Sequence, residues 1–78
     1  MKYIPLVESI MGQGLRIHSV PPGVRVFFLR LGIGEGEVVS CYERLPGGTV
    51  VIQKNRQQIA IGHKLAKKIM VAVVEEVN

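Results

Sequence analysis

His18, Cys41 and His63 carry the only imidazole and thiol groups of this 78-residue chain, and with Met1, Met11 and Met70 they make up its soft metal ligands. A closed zinc site needs about three or four protein ligands converging at about 2 Å from one ion. Paired spacing such as CxxC or HxxxH would announce one, and neither occurs. The three candidates fall on separate elements. A metal role would therefore take the form of weak or intermolecular Fe²⁺ or Zn²⁺ binding at His18, Cys41 or His63, and no cofactor is required. Their ordinary roles are a strand-surface histidine, a buried small thiol and a histidine in a first helical turn.

The carboxylates offer no better case for bond-making chemistry. Glu35, Glu37 and Glu43 lie close in sequence, yet Glu35 and Glu37 open a strand, where charge is normally solvated. No serine or histidine is spaced to form a nucleophile with its base, so no catalytic residue is assigned. Gly32, Gly34 and Gly36 have the spacing of a phosphate loop in the wrong context. Such loops follow a strand and open a helix; here the glycines follow a helix and open a strand, and they read as backbone geometry. Lys64, Lys67 and Lys68 share a helix face that suits phosphate or an acidic protein, although solvation alone accounts for it. Tyr3, Tyr42, Phe27 and Phe28 are the only aromatics and are not grouped to stack bases, so no nucleic-acid partner is expected.

The elements that must position these residues follow from pattern. The chain has the size of one domain, 1–78, with an aliphatic core: 47% of its residues are apolar and none is Trp. Its net charge is +4 and its pI is near 9.7, which solvation explains as readily as an anionic partner. No apolar run approaches the roughly 20 residues of a membrane span, so no direct membrane insertion is expected. Met1-Lys2-Tyr3-Ile4-Pro5 lacks signal-peptide character, and one cysteine forms no internal disulfide. These features together point to the cytoplasm.

Leu15, Ile17 and Ser19 alternate with Arg16, His18 and Val20, a half-buried strand stopped by Pro21-Pro22-Gly23. Val24, Phe27, Phe28 and Leu31 then recur at helical spacing, with Gly32 as a left-handed stop. Val26, Leu29 and Ile33 form a second apolar stripe on the same short helix, broken only by Arg25 and Arg30. A small domain has no room to bury both stripes, so part of this helix should face a partner or a second copy. Strands follow from Val38 to Leu45, over Thr49–Gln53, over Gln58–Ile61 after a tight turn, and from Ile69 to Val74. Two helical turns lie between the last two. Five short strands and two short helices predict a mainly β chain folded as a small barrel.

The order and spacing of several residues then become specific. Gly12 followed by Ile17, Leu31-Gly32-Ile33 with Gly36, Pro46 with Gly47, and Ile59-Ala60-Ile61 leading to Ala66, Ile69 and Val71 resemble the ferrous iron transport protein A (FeoA) family over roughly residues 12 to 74. The chain departs from that pattern at Phe27-Phe28, where the family usually carries Arg-Leu, and at Gly62, where it often carries Arg. The resemblance implies an SH3-like barrel without enzyme activity. It further implies a cytoplasmic accessory that docks on the FeoB ferrous iron transporter, modulates iron uptake, and reaches the inner membrane only through that partner. Val26, Phe27, Leu29, Arg30 and Ile33 are the expected contact residues, with homo-oligomerisation as another use of the same patch. The alternative implied by the barrel is a freestanding transition-metal-binding or sensing domain, related to the C-terminal domain of iron-dependent repressors.

Overall fold

The computed structural model describes residues 2–74. It contains one antiparallel sheet of six strands: β1 (Tyr3–Pro5), β2 (Gly14–Ser19), β3 (Val38–Arg44), β4 (Val50–Lys54), β5 (Gln57–Ile61) and β6 (Met70–Val74). Their order across the sheet is β1-β6-β2-β3-β4-β5. Two short helices interrupt it, α1 (Arg25–Arg30) and α2 (His63–Ala66), and single 3-10 turns lie at Leu6–Glu8 and Pro22–Val24. The expected mainly β, SH3-like barrel is the fold, with one correction. There are six strands rather than five, because Tyr3–Pro5 pairs with β6 through Tyr3↔Ala72, Ile4↔Val71 and Pro5↔Met70. Three residues ending in proline carry no alternation, so nothing local marks this strand; it forms because β6 has a free side to pair with.

The core is aliphatic and lies on the concave side. Leu15 and Ile17 of β2, Val39 and Cys41 of β3, Val50 and Ile52 of β4, Ile61 of β5 and Val71 of β6 all point into it. Leu6, Val20, Phe28, Ile33, Ala66 and Ile69 close its ends from the loops and helices. Alternation along β2 gives Arg16 and His18 to the outside, as its period of two demands. On β6 that alternation breaks, since Val71 and Ala72 are both buried while Val73 is exposed. Ala72 is flanked on one side by β1 and on the other by β2, and the rings of Tyr3 and His18 stack at 3.7 Å between centroids. Val73 lies past the last β1–β6 pair, Tyr3↔Ala72.

The helix over residues 24 to 31 is shorter than its pattern predicts. Its first turn is 3-10 from Pro22, and α1 proper spans six residues. Phe28 alone of these six is buried. Phe27, grouped with Phe28 on one predicted face, is 59% exposed. Phe27 and Phe28 are successive residues of α1 and so point about 100° apart, whereas Val24, in the 3-10 turn before α1, stays packed against the core.

Gly32, at φ +76, ends α1 in a Schellman motif. The Gly32 amide donates to the Leu29 carbonyl at 3.1 Å and the Ile33 amide donates to the Phe28 carbonyl at 3.0 Å. Those two bonds satisfy carbonyls that a helix end otherwise leaves open, and the motif sets residues C3 and C″ side by side. Here these are Phe28 and Ile33, both fully buried.

Replacing Phe28 with Ala should cost about 3–5 kcal/mol, the usual loss for a buried phenylalanine. Phe27→Ala should change stability by no more than about 0.5 kcal/mol, as for other surface positions. Urea unfolding of the two variants side by side measures the difference, and equal losses would refute the assignment of inward and outward rings.

Candidate functional site

Among the described residues, α1 exposes more large hydrophobic side chains than any other helix or strand: Val26, Phe27 and Leu29. Successive helical residues rotate by about 100°. With Phe28 pointing inward, Val26 and Arg30 lie opposite it, and Leu29 and Phe27 flank them. Val26 and Leu29 are each 60% exposed, and Arg30 is exposed beside them. Four of the five expected contact residues therefore share one outward face. Ile33 does not: it is fully buried. The correction has a physical cause, because the left-handed Gly32 takes the chain out of helical phase one residue before Ile33, and the Schellman bond to Phe28 draws it into the core.

Leu29 has a seat that the sequence did not advertise. A Cβ on Gly34 would come within 2.6 Å of Leu29 Cδ2, so the missing side chain of Gly34 is the space the leucine lies across. The run Gly32, Gly34, Gly36 was expected to serve backbone geometry. It does so at Gly32, while Gly34 serves the shape of the apolar face.

Charged residues brace the segment behind this face. Arg25 approaches Glu35 at 3.5 Å, and the same carboxylate oxygen accepts the Val20 amide at 3.4 Å. Lys54 Nζ donates to the Gly32 carbonyl at 2.7 Å and also contacts Glu37, tying the end of β4 to the end of α1. Arg16 Nη1 reaches the Gly36 carbonyl at 3.2 Å. Glu35 and Glu37 are thus partners of basic side chains within the fold.

The metal candidates are held apart in different settings. His18 is stacked on Tyr3 with an interplanar angle of 13°. Cys41 is in the core. His63 opens α2 and lies over Gly48, where a Cβ would be 2.1 Å from its Nδ1. Among the described residues no group of three or more His, Cys, Asp or Glu is arranged to hold a metal ion. Lys64, Lys67 and Lys68 are exposed, but only Lys64 lies in α2 and the other two are in the turn after it, so they do not share a helix face; Leu65 and Ile69 pack inward. No described helix is long and apolar enough to cross a membrane.

Two further apolar residues escaped the sequence pattern. Ile10 and Met11 are 62% and 58% exposed, in the loop where Gly12 donates to the Cys41 carbonyl at 2.8 Å. They sit between a 3-10 turn and a strand, so no helical or alternating period includes them.

The fold has close counterparts among solved structures. One is the crystal structure of an iron uptake regulatory protein (FeoA), which is 24% identical with a TM-score of 0.79, over 95% of this chain and 100% of that one. Another is the NMR structure of a FeoA-like protein from Clostridium acetobutylicum, 22% identical with a TM-score of 0.77, over 100% of this chain and 94% of that one. At these identities the likeness is one of fold. No curated protein matches the chain. The FeoA domain model, in contrast, matches residues 4–73, nearly the whole length. The chain belongs to the FeoA family, and its role lies in ferrous iron transport.

Proposed function

We propose that this protein is a non-enzymatic accessory that docks on the cytoplasmic side of the FeoB ferrous iron transporter through the outward face of α1 and modulates iron uptake. The observation that carries this reading is that one six-residue helix leaves Val26, Phe27 and Leu29 each about three-fifths exposed. Water makes such a cluster costly at about 25 cal/mol per Å² of apolar surface, and covering it with a partner recovers that cost. Membership of the FeoA family, with its role in ferrous iron transport, supports the transporter as the partner. Arg30, exposed on the same face, would favour an acidic neighbour at the rim.

Leu29→Glu places a charge on the flank of this face without touching the core. It should weaken binding to the soluble cytoplasmic portion of FeoB at least about tenfold, or about 1.4 kcal/mol, with the amide spectrum of the free protein otherwise retained. Undiminished binding by the folded variant would exclude α1 as the docking surface. If self-association falls instead, and FeoB binding stays unchanged, the face joins copies of this chain.

Gly34→Ala tests the same surface from behind. The new methyl must displace Leu29 Cδ2, and an exposed leucine can rotate away at little cost. The variant should remain folded, show shifted Leu29 methyl resonances, and bind FeoB more weakly than the parent. Normal affinity with a displaced Leu29 would show that the shape of this face does not matter.

A further inference from the structure

The two edges of the sheet are unequally protected. β1 is three residues long and ends in Pro5, a short strand with a residue that cannot donate, which are two usual guards against further pairing. β5 is five residues long, reads Gln57-Gln58-Ile59-Ala60-Ile61, and has no charge, proline or bulge. Its register with β4 is regular, from Lys54↔Gln57 to Val50↔Ile61.

The turn fixes which backbone groups face outward. Only Asn55 and Arg56 separate the strands, with Asn55 at φ +57. In a two-residue hairpin the closing pair exchanges hydrogen bonds and the pairs then alternate. Gln57, Ile59 and Ile61 therefore bond to β4, while the N–H and C=O of Gln58 and Ala60 point away from the sheet. Neither residue makes another backbone hydrogen bond among the described residues, and both are exposed. Beside them Ile59 is only partly buried against the core.

The ends of this edge carry like charge. Arg56 precedes β5, and Lys64, Lys67 and Lys68 follow it, all exposed. Two copies joined antiparallel through β5 would bring Arg56 of each towards the Gly62–Lys64 corner of the other, where like charges repel. A carboxylate at either end of an added strand would be attracted instead. Outward amides and carbonyls at alternate residues match a peptide backbone in spacing, not a phosphate backbone.

We propose that the β5 edge is a second interaction site, which adds an extended segment of an acidic partner protein as a seventh strand. The segment pairs its backbone with Gln58 and Ala60, sets an apolar side chain against Ile59, and places carboxylates towards Arg56 and Lys64. Strand addition of this kind draws affinity from main-chain hydrogen bonds and specificity from alternate side chains. It is independent of the α1 face.

The test is an amide NMR titration with a capped peptide Glu-Glu-Thr-Val-Thr-Glu-Glu and its lysine counterpart. The acidic peptide should move the resonances of Gln57 to Lys64, and the lysine peptide should move none. Added salt should weaken the interaction, since the charges are exposed. Ala60→Pro removes an outward N–H that β4 does not use, as edge strands tolerate, and should weaken binding at least about tenfold, equivalent to about 1.4 kcal/mol. Ala60→Glu is a second variant with no demand on the backbone, and it should weaken binding by repulsion. Unchanged affinity in either folded variant, or shifts centred on Val26 to Arg30, would overturn the proposal. Concentration-dependent shifts of β5 without peptide would overturn it in favour of a second copy.

Discussion

The core of this chain encloses one large ring, and Phe28 takes that place. It is the largest fully buried side chain, and the rest of the core is aliphatic apart from Cys41 and Ser9. A six-residue helix does not hold itself together in water, because so few hydrogen bonds do not offset the cost of nucleation. α1 persists because its single inward residue fills the core and because the Schellman turn at Gly32 seats Ile33 next to it. The rest of the helix surface is left outside by the same constraint. Exposure of Val26, Phe27 and Leu29 is thus a consequence of how the barrel is closed, and the apolar chemistry at those positions is what makes the exposure informative.

Much of the basic character of the sequence is internal bracing. Arg44 donates to the Ser9 carbonyl at 2.9 Å and to the Val7 carbonyl at 2.6 Å, joining β3 to the 3-10 turn after β1. Lys54 joins β4 to the end of α1, and Arg16 and Arg25 hold the Glu35–Glu37 corner. Cations that bond backbone carbonyls satisfy acceptors which irregular segments leave open. Net charge by itself is therefore a poor guide to partners in this chain. Charge with location is a better one: Arg56 and Lys64, both exposed, flank β5 on either side in the chain.

The two surfaces differ in the kind of recognition they support. The α1 face offers side chains, with Leu29 shaped by the absent side chain of Gly34. The β5 edge offers backbone, with side chains only at its margins. Recognition through a helix face and a strand edge would use what the fold leaves exposed.

Several features were legible from residue order alone. The alternation around Leu15 and Ile17, the stop at Gly32, the surplus of apolar residues around Val26 and Leu29 and the family resemblance all rest on local periodicity or on spacing along the chain. Local pattern is enough there because a strand or helix face repeats within a few residues. What it did not decide were matters of partner and phase. β1 exists only because β6, distant in sequence, has an unpaired side. Ile33 continues the helical stripe on paper but is buried, since one left-handed residue resets the direction of the chain. Phe27 and Phe28, adjacent and alike, point about 100° apart on α1, and packing Phe28 into the core leaves Phe27 in water. The scattering of His18, Cys41 and His63 into a ring stack, the core and a glycine contact was likewise fixed by packing. Sequence set which residues are apolar and how they repeat; the choice of which ones meet water was made by contacts between segments far apart in the chain.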